Sequence, residues 1–435
     1  MRKFLIPFAA LVLLTAMLFG CAAGSGARTD TVSGDKTSPA PGTSAENTGG
    51  SSGGKGGEEP VTTTAPATDT RQSETDEPQT VTTGAPTATT ATAEKTTAAT
   101  TGQHLPTGPE TDPDEGKPFT VAVTGDLSFA DNWEILQNAA AKGYETEDFI
   151  GTSLLERMRS ADLLMVNNEF CFSDRGEPLP GKYYTFRGAT ANVRYLHDLG
   201  ADIACLANNH VYDFGDVAFA DTMATLKSAG IPYIGAGMNE AEAYSPYYTE
   251  INGVKLAFLA ASMAEKSFYK QRVASGDTLG IAGIFDAARF IQAIKEADSN
   301  ADVVIVYAHW GTEYSETLLS SQTRLAHEFI DSGADIVLGA HAHILQGMEF
   351  YNGKPILYNL GNFWFNMKDL ETMLVRIEFA NGGYEIFLDP ARQKKGITTE
   401  ITGAANRRAF FDHLQEISVN AAISDDGRLY EITAE

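Results

Sequence analysis

Asp126, Glu169, Asn209, His309, His341 and His343 carry carboxylate, amide and imidazole donors, and each lies just beyond a short, solidly apolar run. TVAVT leads to Gly125-Asp126, LLMV to Asn167-Asn168-Glu169, IACLA to Asn208-Asn209-His210, VVIVYA to His309-Trp310-Gly311, and IVLG to Ala340-His341-Ala342-His343. Donors of these types suit Zn, Mn or Fe, so one or two divalent metal ions are the expected cofactor. The set contains no Cys, the chain offers no convincing Ser-His-Asp grouping, and a Gly-rich phosphate cradle of the P-loop kind is missing. Taken singly, each residue has an ordinary explanation: a carboxylate can cap a helix, and a lone His309 can be a satisfied structural histidine. Their arrival together at strand ends is what argues for a site.

The elements that must bring them together are legible in a repeated device. Four times a helical pattern ends in Ala-Asp, at residues 161–162, 201–202, 301–302 and 334–335, and a short apolar run follows at once. Runs of this kind between helices predict strands buried on both faces, and ligands in such sheets bind beyond the carboxyl ends of the strands. In the second half Asn252-Gly253, Asn352-Gly353 and Asn381-Gly382 each separate two strand-like segments, the strongest short hairpin signal. The predicted fold is therefore α/β, with two mixed sheets packed as a β-sandwich and flanked by helices. The folded domain is expected over residues 118–391. An extension over 392–435, with one helix near 405–416 and a small strand pair around Asp425-Gly427, should pack on it.

The first quarter of the 435 residues reads differently. Residues 1–21 have Arg2 and Lys3 ahead of an apolar run and end in Leu18-Phe19-Gly20-Cys21, the pattern of an export signal. The small residue before Cys21 resembles a bacterial lipobox, which implies lipidation of Cys21 and a place on the extracytoplasmic face of the cell membrane. Residues 22–117 are rich in Thr, Ala, Ser, Gly and Pro without apolar periodicity, so they should form a disordered tether. A coil of that length spans on the order of 55 Å. The formal charge of −25 argues against a nucleic-acid partner, since a phosphate backbone is held by clustered Lys and Arg that this sequence lacks. It also means that a polyanionic substrate would need local cations or metal to bind. Cys171 and Cys205 fall on or just after apolar runs and read as buried thiols.

The ordered blocks Gly-Asp, Asn-x-Glu, Ala-Asn-Asn-His-x-x-Asp-x-Gly (207–215), His-Trp-Gly-x-Glu-Tyr (309–314), Gly-x-His-x-His (339–343) and Tyr-x-Leu-Gly-Asn-Phe (358–363) resemble the CapA/PgsA family. These are poly-gamma-glutamate capsule biosynthesis proteins related to the calcineurin-like metallophosphoesterases. The resemblance implies a metallophosphoesterase-like sandwich and work on an anionic cell-surface polymer beside membrane-bound synthase subunits. It also implies roles: Asp126 and His343 on a first metal, Asn209, His309 and His341 on a second, and Glu169 bridging both. The phosphoesterase pattern has a His where Ser128 stands, which leaves the first metal three protein ligands. His210 resembles the general acid that protonates a leaving oxygen, with Asp213 placed to orient it. Metal-dependent hydrolysis, a non-catalytic polymer-binding or export role, and a general phosphatase or nucleotidase activity all remain open. Glu313 is a candidate to support a metal-bound His. Arg187 could meet an anionic substrate or lie on the surface, and Trp310 and Tyr314 could wall a pocket or simply pack. His104, His197, His327 and His413 are assigned no site role.

Overall fold

A computed structural model describes residues 116–432, with the side chains of 269–271 set aside. The expected signal segment, Cys21 and nearly all of the tether lie outside the described residues. Among the described residues no helix is long and apolar enough to cross a membrane.

Chain order gives β1 (Phe119–Leu127), β2 (Leu163–Asn168), β3 (Ile203–Cys205), β4 (Tyr233–Ile234), β5 (Tyr247–Ile251), β6 (Val254–Ser262), β7 (Val303–His309) and β8 (Ile336–Ala340). There follow β9 (Leu345–Tyr351), β10 (Lys354–Leu360), β11 (Asn362–Trp364), β12 (Leu370–Ala380) and β13 (Gly383–Lys394). The first sheet contains the run β13-β12-β1-β2-β3-β4, with β1 to β4 parallel and β12 and β13 antiparallel. The second runs β9-β10-β8-β7-β6-β5, with parallel β10, β8, β7 and β6 between antiparallel edges. Both sheets are mixed, as predicted.

Side-chain alternation sorts the strands into layers. Val121, Val123, Met165, Ile203 and Cys205 point inward from the first sheet and meet Leu256, Phe258, Ile305, Tyr307 and Leu338 from the second. On the outer face of the first sheet, Ala122, Leu164, Val166 and Ala204 pack on helices Thr152–Ser160, Val193–Leu199 and Gly215–Ala229. Ala257, Leu259, Val304, Val306 and Val337 do the same for helices Ala288–Asp298 and Ser320–Asp331 beyond the second. Ser320–Asp331 presents Leu325, Ala326, Phe329 and Ile330, the spacing of one helical face. Residues beyond 391 continue β13, add the strand Ile397–Glu400, and send Phe410, Phe411 and Leu414 of helix Ala404–Glu416 into the inter-sheet core.

The repeated Ala-Asp has a physical reason. The carboxylates of Asp162, Asp202, Asp302 and Asp335 accept from the amides of Thr120, Leu164, Lys255 and Val304, each on the neighbouring strand, at 2.8 to 2.9 Å. Each Asp main-chain N–H donates back to the carbonyl of that same residue. The device stitches the amino ends of adjacent parallel strands at about 1 kcal/mol per bond. The three Asn-Gly pairs are two-residue turns: Asn252, Asn352 and Asn381 have φ of 50 to 54° and the following glycines 73 to 85°. Two successive positive φ values match the right-handed strand twist, and Asn then Gly tolerate them best.

Candidate metal centre

All six donors gather where the carboxyl ends of both sheets meet. From the first sheet, β1 delivers Asp126 after a register shift between Val123 and Asp126. A side chain at Gly125 would put its Cβ 1.9 Å from the carbonyl oxygen of Gly361, so only glycine lets the two backbones approach. Glu169 follows β2, and Asn209 lies beyond β3. From the second sheet, His309 ends β7 directly opposite Ala340. His341 and His343 come next, with φ of +93° and +60°. Residues with a Cβ rarely adopt that left-handed backbone, and such strain concentrates at functional sites.

The donor atoms fall into two groups, Glu169 with His309 and His341, and Asp126 with Glu169 and His343, all atoms within each lying inside 4.8 Å of one another. Around His309 Nε2 stand Asn209 Oδ1 at 2.7 Å, His341 Nδ1 at 3.1 Å and Glu169 Oε1 at 3.4 Å. An imidazole nitrogen carries at most one proton, so it cannot satisfy three acceptors. Bonds of roughly 2.0 to 2.1 Å to one tetrahedral ion would instead place such atoms about 3.4 Å apart. His343 Nδ1 lies 3.1 Å from Asp126 Oδ2 and 2.8 Å from Asn362 Oδ1.

Glu169 gives the firmest test of fit. Both its oxygens are buried with no hydrogen-bond partner. Burial, then the Asp126 charge beside it, push its carboxyl well above the usual range. A fully buried carboxylate without a donor or a countercharge is costly, and a shared cation supplies what is missing. The other donors are ready for that role. Burial lowers His309 to about 3 and holds His341 far below its usual value, so both rings are neutral. At Asp126 burial works to raise the pKa, but the hydrogen bond and charge of His343 outweigh it and the net shift is downward. The residues present therefore fit one or two divalent ions.

His210 stands beside this group with Nε2 4.0 Å from Glu169 Oε1 and Nδ1 2.7 Å from Asp213 Oδ2. Asp213 also accepts from the Phe186 amide at 2.8 Å and from Lys182 Nζ at 2.5 Å. Burial pushes its carboxyl up to about 7, against the pull of Lys182. Desolvation keeps the His210 ring neutral. Lys182 further donates to the main-chain oxygen of Asn209 at 2.5 Å, as does Arg272 at 2.9 Å.

Several expectations need correction or completion. Glu313 is exposed, and among the described residues no hydrogen bond joins it to a ligand imidazole. Asn167 takes the supporting place, with Nδ2 2.7 Å from Asp126 Oδ1 and 3.4 Å from His309 Nδ1. Arg187 braces a loop, donating to the carbonyls of Arg175 and Gly176 with its guanidinium 4.3 Å from the Phe214 ring. The hydroxyl of Ser128 is buried without a partner, and Asn362 adds a fourth donor beside the first group. Asn362 follows the apolar strand β10, so the strand-end rule could have found it; Lys182, Glu265 and Arg272 carry no such mark. Trp310 is buried and donates to Tyr358 O at 3.0 Å, whereas the half-exposed Tyr314 ring lies 5.7 Å from that of His343. His327 pairs with Glu349 and His413 with Glu316, away from the centre, and His104 lies outside the described residues. Cys171 and Cys205 are free and buried; burial raises both thiols, Cys205 to about 12.

The family described as "Bacterial capsule synthesis protein PGA_cap" matches residues 120–367, more than half of the chain. "Capsule biosynthesis protein CapA" of Bacillus anthracis is 30% identical over 238 residues, 53% of this chain and 57% of that protein. "PGA biosynthesis protein CapA" of Bacillus subtilis (strain 168) is 36% identical over 177 residues, 40% of this chain and 45% of that protein. The alignments thus span about half the length of these relatives. Among solved structures, a hypothetical protein from Thermus thermophilus aligns over 63% of this chain and 99% of its own, at 17% identity and a TM-score of 0.39.

Proposed function

The chain belongs to the bacterial capsule synthesis protein PGA_cap family, and from that premise we propose that it is a surface-anchored capsule biosynthesis protein acting as a metal-dependent hydrolase on a cell-envelope polymer. Poly-gamma-glutamate is the polymer to which the resemblance of the sequence blocks points, and membrane-bound synthase subunits are the partners such a role would have. Lipid on Cys21 and a tether over residues 22–117 would hold the domain outside the membrane.

The observation that carries the catalytic reading is Glu169, a buried carboxylate with both oxygens unpartnered, shared by two donor groups and facing the imidazole of His210. Asp126, Glu169, His343 and Asn362 would hold one ion; Glu169, Asn209, His309 and His341 would hold the other. Bound ions supply Lewis acidity and an activated water. The protein's own groups do the rest. With the Asp213 carboxyl protonated, as its pKa of about 7 permits, its O–H donates to Nδ1 of the neutral His210 ring, and the single ring proton sits on Nε2, turned toward the donors, for delivery to a leaving oxygen or nitrogen. Lys182 locks Asp213 and the Asn209 main chain in one position. The surrounding burial excludes bulk water and strengthens each of these interactions.

Hydrolysis of gamma-glutamyl and phosphoester substrates, with Mn, Zn or Fe, in the native protein and in His210→Ala, tests this reading. Metal-dependent turnover that His210→Ala lowers by about two orders of magnitude or more is expected; no metal-dependent turnover of either class sinks it. One observation favours a non-catalytic second reading: the donors are at most 5% exposed. In that case the ions stabilise the fold, and the protein assists polymer export without cleaving it.

A further inference from the structure

Two basic side chains beside the centre are almost completely buried: the side chain of Lys182 is 2% exposed and that of Arg272 1%. They converge on a single carboxylate oxygen, Glu265 Oε2, at 2.9 Å from Lys182 Nζ and 3.0 Å from an Arg272 nitrogen. Both cations also hold the main-chain oxygen of Asn209, and Lys182 Nζ lies 3.4 Å from His210 Nδ1. The pair is therefore built into the wall of the centre. Glu265 differs from its partners in being 27% exposed. It also has a left-handed backbone, φ +49°, at the start of the short helix Lys266–Arg272, a conformation unfavourable for a residue with a Cβ.

We propose that Lys182 and Arg272 form a carboxylate-binding subsite of this centre, which Glu265 fills from within until a carboxylate of the substrate displaces it. The inference rests on the polymer-directed reading above and adds to it a recognition element and a built-in competitor. With Glu265 swung outward, Lys182 retains Asp213 and Asn209 O, and Arg272 retains the carbonyls of Asn209, Glu265 and Phe268. Each cation is left with one donor aimed at the same vacated oxygen position. An incoming carboxylate restores both the hydrogen bonds and the charge balance, and charge-assisted bonds of this kind are the strong ones. A chain of net charge −25 repels a polyanion at long range, so two shielded cations at the centre are what would retain it. The α-carboxylates along a γ-linked glutamate chain are ligands of this chemistry.

The probe is γ-linked triglutamate, titrated by calorimetry into the full chain, with and without Mn. Glu265→Ala should bind it about tenfold more tightly than the native protein, and Glu265→Ala with Arg272→Gln should lose that gain. Removing Glu265 should also lower Tm, and saturating triglutamate should restore it; Glu265→Gln provides the same comparison if the Ala variant folds poorly. No gain in affinity together with no thermal rescue would make Glu265 a structural counter-ion and overturn the proposal. An equal gain for inorganic phosphate would overturn the carboxylate assignment. Because the readout is binding with or without metal, absence of hydrolysis leaves it interpretable.

Discussion

Replacing Glu169 with Gln should move thermal stability in opposite directions according to whether metal is present. Without metal, the native protein keeps a carboxyl group fully buried, with neither oxygen bonded, beside Asp126 and within 3.4 Å of His309 Nε2. A buried polar group left unsatisfied costs about 1 to 3 kcal/mol, and more when charged. Gln is neutral at every pH, needs no proton uptake to be so, and brings two N–H donors to a site that holds the Asp126 carboxylate as an acceptor. At about 2 °C per kcal/mol for a body of this size, metal-free Glu169→Gln should melt roughly 2 to 6 °C above the metal-free native protein. With metal the order reverses. An ion at a thousand times its dissociation constant adds about 4 kcal/mol to the native fold. The variant lacks the shared anionic ligand of both groups and should gain little. Scanning calorimetry in chelator and in excess Mn or Zn reads both arms. A variant that melts below the native protein in chelator, or that keeps the full metal-induced rise, would refute the assignment of Glu169 as the bridging ligand.

Other outcomes follow from the same geometry. Asn362→Ala removes a donor from the first group only, so metal analysis should find the ion content falling from two toward one; unchanged content would dismiss Asn362 as a ligand. Lys182→Met should lower turnover by about tenfold or more through misplacement of Asp213 and His210, while metal content stays at the native value; full activity would show that the buried ammonium does not position them. Between its unfolded value of 4.5 and its raised folded value, Glu169 binds a proton more readily in the folded state, so its contribution to metal-free stability falls as pH rises. The depressed imidazoles act oppositely: stability from His309 is present above 6.5 and lost as pH falls toward about 3. Metal must displace the Glu169 proton, so the metal-induced rise in Tm should be larger at about pH 8 than at about pH 6, and equal rises would contradict the shift. Asp302→Ala unpins the Lys255 amide and should lower unfolding free energy by about 1 kcal/mol in urea titration; no change would mean that the strand clamp is idle.

Much of this was legible in residue identity alone. Apolar runs too short for helices, each introduced by Ala-Asp, located the parallel strands, and Asn-Gly located three hairpins, because in both cases local backbone chemistry leaves a mark in the residues chosen. The six donors followed from position at strand ends. What escaped was contact set by loop paths. Lys182 lies between β2 and β3 with no readable mark, and it meets Asp213 only because the 173–186 loop folds back over that residue, donating through the Phe186 amide as well. Glu313 misled because proximity in sequence to His309 does not fix direction: Tyr314 beside it, at φ +57°, bonds its amide to Ala342 O, while the Glu313 side chain is exposed. Asn362 belongs to a recognisable motif yet carried no assigned role, since its pairing with Asp126 depends on β11 lying parallel to β1.

The donors come from both halves of the sandwich, Asp126, Glu169 and Asn209 from one sheet and His309, His341 and His343 from the other. An ion seated among them is thus a rivet through two plates. Any breathing that splays the plates must stretch its bonds, so loading should quiet the slow opening of the inter-sheet core, visible as deeper amide-exchange protection at Met165 and Leu338, inward along their strands from Glu169 and His341.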